Sequence, residues 1–407
     1  MIRVTTATVK SAGWADLPDT VWDEVCVGGA WGFQATSSFW TAKQRQACSL
    51  HEVSYRACFK PQLPRFFIER LTEPGGRVYD PFSGRGTTGL EAGLLGRTPV
   101  LNDANPLGAI LAKPRFFVPD PQAVEQRLRS LAWGEQRSAD RDLSMFYHPK
   151  TESEIMVLRT YLNNRREAGQ EDDVDRWIRM VATNRLTGHS AGFFSVYSLP
   201  PNQAASPQSQ LKINTRLRQA PEPRDVARII LKKSRQLVAD LSRSDMDRLA
   251  EAGRAGLFFS EDAQRTSGLS SNSVDLVVTS PPFLDVVQYA QDNWLRFWFN
   301  GIDEKEVGGR MSMQRTLEEW SRTMGDVFVE LFRVVRSGGW VAFEVGEVRK
   351  GTVRLEEAVV PVGIAAGFRF AGVLVNQQTF TKTSHIWGID NNAKGTNTNR
   401  IALFQKK

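Results

Sequence analysis

Two short stretches of this chain carry residue types at a spacing that could do chemistry. The first is Ser280-Pro281-Pro282-Phe283, which closes the apolar run VDLVVTS. An exocyclic amino nitrogen on an aromatic ring is a poor nucleophile, because its lone pair is delocalised into the ring. Two well-placed acceptors can localise that pair. The Ser280 hydroxyl and the Pro281 carbonyl, held stiff by Pro281 and Pro282, have the chemistry to accept both amino protons and aim the nitrogen. Phe283 suits stacking on a base that has left a helix, since a stacked base cannot bring its amino group to a second reactant. The structural alternative is a proline-stiffened turn after a buried strand.

The second stretch is the glycine loop Asp80-Pro-Phe-Ser-Gly84-Arg-Gly86-Thr-Thr-Gly89. Gly84, Gly86 and Gly89 fit the spacing GxGxxG between a strand and a helix, and Asp103 ends the next strand, as in dinucleotide sites. Asp80 changes the reading. A carboxylate directly before the loop opposes a pyrophosphate approaching the helix N-terminus and suits a ligand bearing an ammonium group. With Asp103 suited to a ribose diol, the pattern describes S-adenosylmethionine rather than NAD. A tight turn capped by Asp80 is the structural alternative.

DPFSGRGTT resembles the first motif of the amino-methyltransferases that act on exocyclic nitrogens of DNA bases, and FKPQLPRFFIERL (59–71) resembles their methionine-side motif. FFSEDAQRTSGLSSNSVDLVVTSPPF (258–283) is similar to the family's third strand, adenine contact and catalytic tetrapeptide in order; RSGGWVAF and NTNRIALFQK resemble its fifth and final strands. The resemblance covers about 51–113 and 256–407. It implies an α/β, Rossmann-like class I methyltransferase fold with a mostly parallel seven-stranded sheet. It implies S-adenosylmethionine as cofactor, held by Gln62, Asp80, Pro81, Phe82, Ser83, Gly84, Gly86, Thr87, Asp103, Asp262 and Ala263, with Glu261 the rival of Asp262. Catalysis falls to Ser280, Pro281, Pro282 and Phe283.

Within that family Ser-Pro-Pro resembles mainly the cytosine-N4 enzymes, so double-stranded DNA is the expected partner. Adenine-N6 methylation stays open, as do an RNA base as substrate and a catalytically silent nucleic-acid-binding module. Whether a restriction endonuclease accompanies the chain stays open too. Methylation at ring carbon five needs a cysteine nucleophile, usually after proline. Cys26, Cys48 and Cys58 follow Val25, Ala47 and Ala57.

The elements that must position these residues read as follows. Residues 76–105 alternate strand, loop, helix and strand, and a second such stretch starts at Gly256. Between them, 121–255 shows helical periodicity, a Gly/Ser/Pro/Asn-rich centre and a basic run, and reads as a mainly helical insertion with a mobile centre. The expected division is 1–120, 121–255 and 256–407, the insertion serving DNA recognition. Its basic run, 211–236, has eight basic residues against two acidic ones. Lys232, Lys233 and Arg235 are its candidate phosphate contacts, against a solvated helix face. His189, in the polar loop 187–210, is a candidate substrate contact. So is Tyr289, which with Trp294 and Trp298 follows the tetrapeptide at a spacing that equally suits core packing.

Composition agrees with a folded chain. The 407 residues are 41% hydrophobic and 24% charged with a net charge of +7, which excludes disordered and coiled-coil classes and permits a polyanionic partner. No apolar stretch reaches the roughly 18–20 residues of a membrane span, and the start lacks an apolar leader core, so a cytoplasmic location is expected. Three scattered cysteines and four histidines make a metal site unexpected.

Overall fold

The computed structural model describes residues 17, 20–40, 47–282, 289–310, 314, 316–348, 353–377 and 398–407. A hairpin opens the chain, β1 (Val21–Val27) and β2 (Ala30–Ser37). Then come α1 (Gln62–Leu71), β3 (Arg77–Asp80), α2 (Thr87–Leu94), β4 (Thr98–Asn102) and α3 (Leu107–Ala112). The helices α4 (Pro121–Arg129), α5 (Pro149–Glu167), α6 (Asp173–Thr183), α7 (Pro207–Leu217), α8 (Val226–Leu237) and α9 (Arg243–Ala255) follow before β5 (Leu257–Phe259) and β6 (Val274–Thr279). Beyond the tetrapeptide lie α10 (Tyr289–Asp292), α11 (Trp294–Asn300), α12 (Glu304–Arg310) and α13 (Leu317–Val334). Then β7 (Val335–Val345), the short ladder β8 (Glu347–Val348) with β9 (Val353–Arg354), α14 (Leu355–Ala365), β10 (Arg369–Gln377) and β11 (Thr398–Gln405) complete the chain.

Among the described residues one sheet joins nine strands in the order β1-β2-β10-β11-β7-β6-β3-β4-β5. From β5 to β7 all neighbours are parallel, and β11 runs antiparallel between β7 and β10. The seven strands from β5 to β10 form the class I methyltransferase sheet expected from the sequence. The N-terminal hairpin is an addition: β2 pairs parallel to β10 and extends the sheet past its ordinary edge. That covers a strand edge that would otherwise offer unpaired backbone groups.

Alternation along the strands builds a layer on each face. Val78 and Leu276 pack with Phe67 and Ile68 of α1, whereas Tyr79 and Val277 pack with Phe328 of α13 and Val359 of α14. Strand order reverses between β3 and β6. At such a switch point the loops at the carboxyl ends diverge and leave a crevice, and both the glycine loop and the tetrapeptide begin there.

The sequence from 121 onward does not fold apart from the sheet. Leu90 and Leu94 of α2, Leu101 of β4 and Leu111 of α3 share one apolar cluster with Ile155 of α5, Trp177 of α6, Ile230 of α8 and Phe297 of α11. Residues 243–255, counted on sequence with the insertion, form α9, which packs on α2 and beside β4 as one of the sheet's own flanking helices.

Trp177 is fully buried, and its indole N–H donates to Ser234 Oγ at 2.9 Å. Truncation to alanine removes a large aromatic from the shared cluster and costs about 3–5 kcal/mol. Because the cluster is continuous, Trp177→Ala should lower one cooperative calorimetric transition. A second, separate transition belonging to the insertion is the result that would contradict the shared core.

Candidate active site at the carboxyl ends of the strands

The glycine loop folds as it does because two of its positions accept no side chain. Gly86 has φ +75° at the start of α2, and a Cβ there would meet Ala112 Cβ at 2.6 Å. Gly89 lets α2 lie against β4, since a Cβ there would meet Leu101 at 2.6 Å. Ser83, Gly84 and Thr87 are buried with the loop, and Pro81 and half-buried Phe82 lead into it.

Asp80 lies beneath this loop, almost fully buried, and its carboxylate is occupied by the protein. Oδ1 accepts from Thr279 Oγ1 at 2.6 Å and Phe82 N–H at 3.1 Å; Oδ2 accepts from Thr88 Oγ1 at 2.8 Å. The expectation of a carboxylate presented to an ammonium group differs from this geometry, in which Asp80 ties the loop and α2 to the end of β6. Burial pushes its carboxyl up to about 7 despite these three donors.

Asp103, half-buried past β4, accepts from Gly84 N–H at 2.7 Å and Asn105 N–H at 2.8 Å, and desolvation raises it to about 6. Each oxygen keeps acceptor capacity for a hydroxyl. Glu261 and Asp262 separate clearly. Glu261 accepts from Ser267 N–H at 2.7 Å and so closes its own turn, while Asp262 is exposed and its carboxylate accepts only from Gln264 among the described residues. Ala263 is buried in the core of the sheet's other face. Gln62 stands half-buried at the first position of α1.

Three groups that hold this end of the sheet are silent in the motifs. Asn102 donates to Glu261 O at 3.0 Å and accepts from Glu261 N–H at 2.9 Å, locking β4 to the turn after β5. Arg85, inside the glycine loop, donates to the carbonyls of His51 at 2.9 Å and Val53 at 2.8 Å, drawing 51–55 over it. Trp320 of α13 donates its indole N–H to Pro282 O at 2.9 Å and fixes the tetrapeptide from the far side.

A fourth is Glu344, on the buried strand β7 next to β6. Its carboxylate accepts from the Ser280 hydroxyl and from the Asn399 amide, and burial pushes it up to about 7 in spite of both. The sequence carried one signal for it, an acid inside the apolar run WVAFEV.

The remaining candidates divide. Phe283 lies outside the described residues, and so does the side chain of Tyr289, whose backbone begins α10. Trp298 is core, its indole N–H donating to Asp140 at 2.7 Å. His189 is exposed and stands edge-on to Tyr197, 6.5 Å between ring centres. Lys232 is exposed, but Lys233 turns inward on α8 and pairs with Glu52 at 2.8 Å, and Arg235 pairs with Glu125 at 3.0 Å. These three do not form one phosphate-facing row. The polar loop reaches the site's rim: Ala204 N–H donates to Asp292 O at 2.8 Å and Trp294 Nε1 to Ala205 O at 3.1 Å. Among the described residues no group of three or more His, Cys, Asp or Glu could hold a metal, and no helix is long and apolar enough to cross a membrane.

Residues 15–110 match the family model described as DNA methylase. Over that stretch, about a quarter of its length, the chain is similar to the N6/N4 DNA methylases. It is 22% identical over 285 residues to the type II methyltransferase M.BsoBI of Geobacillus stearothermophilus, covering 64% of this chain and 54% of that protein, so it spans about half the length of that relative. Similar solved structures include TrmN of Thermus thermophilus, 12% identical over 86% of this chain and 50% of that one with a TM-score of 0.33. Another is the rRNA methyltransferase AviRa of Streptomyces viridochromogenes, at 11%, 91% and 96% with 0.37. S-adenosyl-L-methionine is the methyl donor that goes with the DNA methylase family and this fold.

The buried state of Asp80 has a signature in stability. Its carboxyl titrates at about 7 folded, against an ordinary value of 3.8. Its contribution is therefore complete below about pH 4 and is lost as pH rises through about 7, because the unfolded chain ionises first. Denaturant midpoints should fall between pH 5 and 7.5, and Asp80→Asn should flatten that fall. An equal slope in wild type and variant would place the titration elsewhere.

Proposed function

We propose that the chain transfers a methyl group from S-adenosylmethionine to the exocyclic amino nitrogen of a nucleic-acid base, with cytosine N4 in double-stranded DNA as the finer reading. The observation that carries it is the junction of the glycine loop and Ser-Pro-Pro at one switch point, laced together through Asp80. The residues fit such a cofactor: Gly84 and Gly86, at φ +50° and +75°, let the loop turn tightly into α2, Asp103 keeps acceptor capacity for a ribose hydroxyl, and exposed Asp262 suits an adenine amino group. When bound, S-adenosylmethionine supplies an electrophilic methyl carbon.

The chain's own part is to prepare the nitrogen. Ser280 gives its proton to the Glu344 carboxylate in a hydrogen bond, which leaves the Oγ lone pairs for one amino proton of the base. The Pro281 carbonyl accepts the other, and Trp320 keeps the turn from rotating through Pro282. An amino group that gains a methyl must shed one proton. Ser280 and Glu344 form a path for it to a carboxyl that titrates near neutrality.

A structured RNA is the second reading. What favours it is that the Ser280 hydroxyl and the Pro281 carbonyl would accept the amino protons of an RNA base as readily as those of a DNA base. Incubation with labelled cofactor and either duplex DNA or structured RNA, followed by mass analysis of nucleosides, tests both. N4-methylcytosine from DNA supports the finer reading; methylated nucleoside from RNA alone replaces it with the second; no transfer to either overturns the proposal.

Ser280→Ala should lower kcat by about 10²-fold or more with cofactor affinity nearly unchanged. In wild type kcat should rise with pH through about 7 as Glu344 ionises. Glu344→Gln should lower kcat and abolish that rise. A retained pH profile in the variant would remove Glu344 from the proton path.

A further inference from the structure

The basic run of the insertion divides into two helices with different fates. On α8, Lys233 and Arg235 are tied to Glu52 and Glu125. On α7, Lys212 and Arg216 lie one helical turn apart and exposed, and Arg218 follows in the left-handed cap at φ +50°. Among the described residues no carboxylate pairs with Lys212, Arg216 or Arg218. The same surface exposes Leu211 and Leu217.

Beside these cations stands an aromatic group that is held rigidly yet left open. Tyr197 is 49% exposed, unusual for a large ring in a polar loop. Its backbone carbonyl accepts from Gln210 Nε2 at 2.9 Å and Gln219 Nε2 at 2.8 Å, so both ends of α7 clamp it. Asn214 links the two glutamines, accepting from each at 2.7 and 2.8 Å, and donates to Met145 O at 2.8 Å. His189 stands edge-on to the ring and also meets the buried Phe193 ring at 6.2 Å, over which Arg185 lies 4.1 Å from the centre. Four residues after Ser206, the N-cap of α7, the chain has already begun this clamp, and just before it Ala204 and Ala205 bond to Asp292 and Trp294, downstream of the tetrapeptide.

We infer that α7 and the His189–Tyr197 loop form the surface that grips duplex DNA beside the target base. Lys212, Arg216 and Arg218 neutralise phosphates, and the Tyr197 ring stacks on an unpaired or end-exposed base. The inference rests on the proposed function and deepens it by naming where the substrate is held. Charge complementarity selects the occupant: cations at helical spacing without a carboxylate partner among the described residues, next to an open ring, match a polyanion with aromatic bases, and a protein partner would have to bury three cations for which the described residues supply no counter-ion.

Binding of a fluorescent duplex to the full chain, with the demethylated cofactor present and salt varied, tests it. Lys212→Gln, Arg216→Gln and Arg218→Asn together should weaken binding and make the slope of log affinity against log salt shallower by about 0.9 for each lost contact. Asn at 218 tolerates the left-handed backbone. Tyr197→Ala should weaken binding about tenfold, raising KM with kcat retained. Cofactor affinity and the thermal transition should be unchanged in both variants. Arg243→Gln, Arg248→Gln and Arg254→Gln on α9, an equal loss of charge elsewhere, should leave the slope nearly as in wild type.

An unaltered slope in the α7 variant, or an equal change in the α9 variant, overturns the inference while leaving the proposed function standing. Structured RNA gripped through these residues with duplex DNA ignored overturns the choice of DNA. A wild-type chain that binds cofactor yet neither nucleic acid overturns the proposed function, and this inference with it.

Discussion

One buried carboxylate joins the two halves of this molecule's chemistry. Asp80 holds Thr88 at the start of α2 and Thr279 at the end of β6, and Thr88 also reaches the Val278 carbonyl at 3.2 Å. The glycine loop and the tetrapeptide are separated by about two hundred residues of chain, yet neither can shift without disturbing the same two oxygens. In a desolvated setting each of those hydrogen bonds is stronger than in water, and losing one leaves a buried polar atom unmatched. The crevice at the switch point thus has a fixed width, as any transfer between two bound molecules requires.

Around that link the strand ends are joined by side chains rather than by ladder hydrogen bonds. Asn102 bridges β4 and the turn after β5, Trp320 reaches Pro282 from α13, and Glu344 meets Ser280 across β6 and β7. Asp80, Asp103 and Glu344 are all raised by desolvation at this one end of the sheet. Such clustering of perturbed acids is characteristic of sites that do chemistry. The opposite, amino ends of the strands carry surface pairs such as Arg336 with Asp275 at 2.6 Å.

The contiguous motifs were legible because their meaning is local. A glycine that must take φ +75° before a helix, or two prolines after an apolar strand, announce themselves within ten residues. The mostly parallel sheet followed from the alternation of strands and helices, whereas the hairpin added at its edge did not. Glu344 left only the trace of an acid inside an apolar run and Asn102 left none, because what gives them a role lies 64 and 159 residues away. Lys233 failed in the other direction: in sequence it is one of two adjacent lysines, and only the helix phase of α8 turns it inward towards Glu52. Asp80 was recognised as important for a ligand, whereas in the fold its oxygens serve the protein.

The continuous apolar cluster from Leu90 through Trp177 to Phe297 bears on how such a chain can change its target over evolutionary time. A recognition body with its own core can be traded between relatives as a cassette. Here the same side chains that seat the insertion also seat α2, which follows directly on the glycine loop. On the proposed reading of the insertion as the part that holds the nucleic acid, divergence in target choice proceeds by exchange of individual exposed residues, while the helices beneath them are inherited together with the sheet.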